Sequence, residues 1–211
     1  MREHHTQFQL KAPYYTLNEL TEETKRIWLV CHGYGQLSRF FLRKFSVLDA
    51  ADNYLLFPQG LSKFYLPGHQ RVGATWMTKE DRLTEIDNQY AYLDQVLRDE
   101  LGEDLSAYEF NFFGFSQGVA TILRYAVYKK IPVKKLLLWA GGMPLELRKE
   151  DFGFLTEDSH VHILLGDQDQ YYTSEAYQQQ LNKAREMMGN DVQFTIFNGG
   201  HEIESDVLMQ L

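Results

Sequence analysis

A chain of 211 residues, 44% hydrophobic and 24% charged, is long enough to bury one substantial core and needs no second domain. Its formal net charge of −8 and its lack of basic clusters speak against nucleic acid or an anionic membrane surface as the main partner. The single cysteine excludes an internal disulfide, no eighteen apolar residues run together, and "MREHHTQFQL" has no apolar signal core; the expectation is therefore one cytoplasmic domain over residues 1–211 without membrane insertion, its oligomeric state left open.

In chain order, "TQFQLKAP" and "YYTLNEL" alternate like two strands and predict an antiparallel hairpin at a sheet edge. "RIWLVCHG" and "NYLLFPQG" are apolar runs ending in turn signals, with Cys31 placed as a buried structural thiol in the first. The stretch from Leu61 to Asp81 is the one long connection without clear periodicity, and long connections in compact domains are often binding loops. Leu83, Ile86, Tyr90, Leu93 and Leu97 then recur at helical spacing up to Gly102. "EFNFFGFS" is a third apolar run, leading into a helical stretch, and "KKLLLWAGG" and "HVHILLGD" follow. A second clear helix runs from Thr173 or Ser174 to "MMGN", where Gly189 is the expected stop, before a last run, "VQFTIFNGG". Strands that are apolar throughout and alternate with helices predict an α/β protein: a mostly parallel sheet with helices on both faces and the antiparallel hairpin at its edge.

In such sheets chemistry collects at the carboxyl ends of strands. One of these ends carries Gly114, Ser116 and Gly118 in the pattern G-x-S-x-G, a strand turning sharply into a helix. Small residues let the backbone turn and push the serine hydroxyl into the open, beside the helix's N-terminal N–H groups, where negative charge is stabilised. "LVCHGYGQ" ends in a backbone-exposing turn able to supply one oxyanion donor, with the N–H of Gln117 as the second. His32 belongs to that turn and is expected to organise it. "HILLGDQDQ" places Asp167 and Asp169 after the next-to-last strand, and "FTIFNGGHEI" places His201 after the last. Serine, aspartate and histidine in this order are the order of an α/β-hydrolase triad, in which histidine takes the serine proton and a carboxylate fixes its tautomer. No group of His, Asp or Glu has the spacing of metal ligands beyond the scattered "HVH", and no cofactor is implied.

Taken together, "HGYG", "ATWM", "GFSQG", "GDQD" and "GGHEI" resemble the phospholipase/carboxylesterase branch of the α/β-hydrolase fold, which includes cytoplasmic carboxylesterases and acyl-protein thioesterases. The resemblance runs from about Ile27 to Ile203. It implies Ser116 as nucleophile, Asp169 as the triad acid in preference to Asp167, His201 as base, and the N–H groups of Tyr34 and Gln117 as oxyanion donors. The chain departs from the family pattern at Tyr34, after Trp76 and after the acid, where it reads "QDQYYTSE". The resemblance also places Phe64, Tyr65, Leu66 and Trp76 beside the serine as a partial wall of the acyl site. The implied activity is hydrolysis of small-molecule carboxylic esters, with thioesters as a second class, through an acyl-serine intermediate. Bulky rings near the nucleophile favour short to medium acyl groups, and the net negative charge disfavours anionic substrates. A non-hydrolytic protein that binds a small ligand on the same fold is the alternative.

Overall fold

The computed structural model describes residues 1–189 and 191–211. Its strands are β1 (Tyr14–Leu17), β2 (Arg26–Cys31), β3 (Asn53–Pro58), β4 (Ser62–Tyr65), β5 (Val72–Thr75), β6 (Glu109–Phe115), β7 (Val133–Trp139), β8 (His160–Gly166) and β9 (Gln193–Phe197). The helices are α1 (Ser38–Phe41), α2 (Arg82–Leu101), α3 (Gln117–Lys129), α4 (Ser174–Met188) and α5 (Ser205–Leu208). The described residues form a seven-stranded sheet in the order β1-β3-β2-β6-β7-β8-β9. Every neighbouring pair in it is parallel except β1 with β3.

Burial explains why the parallel strands are apolar throughout. All six residues of β3 and the last six of β6 are buried, and because successive side chains point to opposite faces, both faces of the sheet must be covered. At the other edge β9 has a neighbour on one side only, and Ile196 is exposed there. Helix α2 ends at Gly102 with φ 79°, and α4 begins at Thr173, whose hydroxyl accepts from the Ala176 N–H at 3.3 Å, and ends at Gly189 with φ 100°. Of the five apolar residues that mark α2 in the sequence, Leu83 alone is exposed, at 76%, because it lies in the first turn. Cys31 is fully buried, and burial pushes its thiol far above the ordinary range, so it is inert.

The N-terminal edge differs from the expected hairpin. Residues 6–13 form no strand, and only Tyr14–Leu17 pairs, antiparallel to β3. The residues 6–11 are exposed, so their alternation has no apolar surface to cover. The antiparallel hairpin lies instead within the long connection, where β4 pairs with β5. No helix among the described residues is long and apolar enough to cross a membrane.

Candidate active site

Strand β6 delivers Ser116 at a sharp turn, with φ 54° and ψ −116°. The backbones pass so closely here that a Cβ on Gly114 would lie 2.5 Å from the Gly118 carbonyl oxygen, and one on Gly118 would lie 2.1 Å from the Cys31 carbonyl oxygen. The two glycines therefore fix α3 directly against the end of β2.

The loop after β9 brings His201 to this turn, its Nε2 2.8 Å from Ser116 Oγ. The turn after β8 brings Asp169, whose Oδ2 lies 2.7 Å from His201 Nδ1. A carboxylate only accepts, so Nδ1 carries the proton and Nε2 is left to accept from the serine hydroxyl. The second carboxylate oxygen, Oδ1, accepts from the Tyr171 N–H at 2.9 Å. Asp169 is only 3% exposed, whereas Asp167 is exposed and binds no histidine. Asp167 Oδ1 accepts from the Gly199 N–H at 3.0 Å, tying the acid turn to the histidine loop.

The turn after β2 is held by the hairpin that the sequence left without structure. Gly35 N–H donates to the Ala74 carbonyl at 2.8 Å, and Ala74 N–H donates back to Gln36 at 3.2 Å. Gln36 Oε1 accepts from Gly33 N–H at 2.8 Å. The N–H groups of Gly33, Gly35 and Gln36 are thus used inside the scaffold. Gln117 opens α3, so its own N–H belongs to the unpaired first turn of the helix. Its side chain accepts from Trp76 N–H at 3.1 Å and donates to Met77 O at 2.9 Å, stitching the hairpin's exit to the elbow.

Two cavities meet at this place. One, of about 580 Å³, is lined by Ser116, Tyr34, Gln117, Gly141, Tyr171 and His201 among others. Of the four side chains expected as its wall, none lines it. Leu66 lines the neighbouring cavity, Phe64 packs its ring 4.9 Å from that of Tyr34, and Tyr65 is exposed. Trp76 is 1% exposed and donates through Nε1 to the His32 carbonyl at 2.8 Å, so it is core beneath the turn. The aromatic side chains that line the serine's cavity are Tyr34, which is 61% exposed, Phe115, Tyr172, and Tyr171, which meets His201 edge-on at 4.7 Å. The sequence signal for Tyr171 is its place in "QDQYYTSE", where the chain leaves the family pattern.

His32 is fully buried and holds the scaffold from below. Its Nε2 accepts from the Gly60 N–H at 3.0 Å, which assigns the ring proton to Nδ1, 2.7 Å from the Gly33 carbonyl. Burial lowers its pKa from 6.5 to about 4 against the opposing bond to Gly33. The unfolded chain therefore binds this proton first as pH falls, and stability that is complete above pH 6.5 is lost progressively towards pH 4. Urea unfolding should show about 2 kcal/mol lost from this source between pH 7 and 4.5. His162, lowered by burial and then by Lys135, acts in the same direction. Glu146 holds its carboxyl at about 2 because, against burial, Arg124 bonds it, so its contribution fades only below its ordinary 4.5. A His32→Gln protein should have the flatter curve; equal slopes would remove His32 from the account.

Among the described residues, the one group of His, Cys, Asp and Glu close enough to share an ion is Glu3, His5 and Asp81, all exposed. In the "HVH" of β8, His160 is exposed and His162 Nε2 lies 2.8 Å from Thr195 Oγ1.

The esterase PE8 superposes with a TM-score of 0.72 at 20% identity, over 95% of this chain and 97% of that one. Acyl-protein thioesterase 2 of Zea mays gives 0.69 at 15% identity, over 95% and 97%. A phospholipase/carboxylesterase of Dyadobacter fermentans gives 0.62 at 17%, over 93% and 92%. At these identities the likeness speaks to the fold, which is that of an α/β-hydrolase. No curated protein matches the chain. The family model for phospholipase/carboxylesterase matches residues 16–211. With that match along nearly its whole length, the chain belongs to the phospholipase/carboxylesterase family and is a carboxylesterase-like hydrolase.

Proposed function

We propose that the protein, acting as a single domain in the cytoplasm, cleaves small-molecule carboxylic esters, and thioesters as a second class, through an acyl-enzyme on Ser116. The observation that carries this reading is the unbroken hydrogen-bonded line Ser116–His201–Asp169, at 2.8 and 2.7 Å. His201 removes the hydroxyl proton as Oγ attacks the carbonyl carbon, and Asp169 stabilises the imidazolium that forms. The oxyanion is taken by the N–H groups of Tyr34 and Gln117, the first lying in a turn whose other amides are engaged by the hairpin, the Gln36 side chain and the Gly33 carbonyl, the second in the open first turn of α3. His201 then gives its proton to the leaving group, and water repeats the sequence on the acyl-serine.

Short to medium acyl groups are assigned to the cavity at Ser116, whose lining includes the rings of Tyr34, Phe115, Tyr171 and Tyr172. A fluorophosphonate probe separates this reading from that of a non-hydrolytic binding protein, since only an activated serine is labelled. Labelling at Ser116 is expected, together with kcat/KM higher for acetate, butyrate and octanoate esters than for palmitate. An unlabelled protein would support the binding alternative, and a maximum at palmitate would overturn the chain-length assignment.

A further inference from the structure

The second cavity, about 700 Å³, shares Gln36, Phe115 and His201 with the one that holds Ser116. Its lining has an apolar part, including Phe41, Leu66 and Ile203, and three cations: Arg39, Lys44 and Arg71. Glu202 is the one carboxylate in it. Arg39 and Lys44 come from one continuous helical stretch, α1 and the single turn Leu42–Phe45 that follows it, and Arg71 comes from the link between β4 and β5. Among the described residues none of the three is in an ion pair, as holds for most of the chain's lysines and arginines.

Chance surface charge does not account well for this grouping. The chain carries 29 acidic against 21 basic residues, so three cations against one carboxylate around one concavity run against the composition. Two of them are also held in place. The Arg39 guanidinium lies 4.7 Å from the centre of the Phe40 ring, and Lys44 Nζ donates to the Ile203 carbonyl at 3.2 Å, on the loop that carries His201. A concave patch with a local excess of one sign focuses its potential on whatever enters it, even on a protein of opposite net charge.

We propose that this groove receives an anionic group of the substrate, a carboxylate or phosphate joined to the scissile ester through a short apolar segment. The proposal rests on the esterase reading of Ser116 and gives it a substrate class: anionic esters are preferred to neutral ones of the same length. It reverses what net charge alone suggests, because the charge within a Debye length of the bond counts for more than the total.

The test uses matched pairs that differ in one negative charge, on the acyl side (mono-4-nitrophenyl adipate against 4-nitrophenyl hexanoate) and on the alcohol side (4-butyryloxybenzoate against its methyl ester). For each pair the anionic-to-neutral ratio of kcat/KM is read in wild type and in the triple variant Arg39→Gln, Lys44→Gln, Arg71→Gln. Misfolded protein lowers both members of a pair equally and cancels in the ratio. In wild type the ratio should exceed one for the pair whose charged half occupies the groove, which identifies that half. It should fall about tenfold in the triple variant, as three partly exposed charge interactions allow, and should also fall as salt is raised. Hydrolysis of all four esters with ratios unmoved by the triple variant would overturn the groove assignment and leave the esterase reading standing. No hydrolysis of any of the four, with no fluorophosphonate labelling, would take both down.

Discussion

Replacement of Ser116 by alanine is expected to lower kcat for 4-nitrophenyl butyrate by about 10⁴-fold or more while the protein remains folded. In a triad the members act as a unit, so removal of the nucleophile leaves His201 with no proton to take and only background catalysis by the remaining donors. Ser116 occupies φ 54° with a Cβ already in place, so alanine adds no clash at the elbow. Its backbone N–H, which donates to the Trp139 carbonyl at 2.8 Å, is untouched. A thermal melt close to wild type should accompany the loss. Retention of even a tenth of wild-type turnover would rule out Ser116 as nucleophile.

The second large effect separates two aspartates of one turn. Asp169→Asn should cost about 10⁴-fold in kcat, because an amide opposite Nδ1 can favour the wrong imidazole tautomer and cannot stabilise the imidazolium. Asp167→Asn should stay within about tenfold of wild type, since the asparagine carbonyl can still accept from the Gly199 N–H. Steady-state kinetics on the two variants side by side decides the matter. The reverse ranking would assign the acid to Asp167 and make its bond to Gly199 a feature of a resting state.

Much of this architecture could be read from the chain because the buried parallel strands are covered on both faces and so are apolar without interruption. The residues after those runs are then the only ones able to reach the carboxyl edge, which is how Ser116, the Asp167–Asp169 pair and His201 could be singled out. The hairpin β4–β5 was not legible. Its first strand, "SKFY", is largely exposed, and what fixes it is a long-range match of Ala74 to Gly35 and Gln36 that no local pattern announces. Trp76 shows the converse difficulty. Aromatic content cannot distinguish a wall from a floor, and the bond from its indole to the His32 carbonyl exists only once β2 and β5 have met. Alternation near the N-terminus misled for the same reason, since it signals a strand only where one face has something to cover.

The strand order divides the catalytic groups by how deeply they are anchored. The proposed nucleophile Ser116 and the proposed donor turn hang from β6 and β2, in the middle of the sheet, whereas the proposed acid and base, Asp169 and His201, hang from β8 and β9 at its margin. Marginal strands open first in sub-global fluctuations. Besides the Asp169–His201 pair, four contacts bind the two outer loops into one piece: Asp167 N–H and side chain to Phe197 and Gly199, Gln168 N–H to the Gly199 carbonyl, and the Gln168 side-chain amide to Asn198 Oδ1. A fluctuation that peels the margin away therefore carries acid and base off together. What remains is an intact serine and donor turn with no general base, a folded molecule that is silent until the margin reseats. Thermal or denaturant inactivation would then begin as reversible dormancy ahead of unfolding, with amide protection lost at β9 before it is lost at β6.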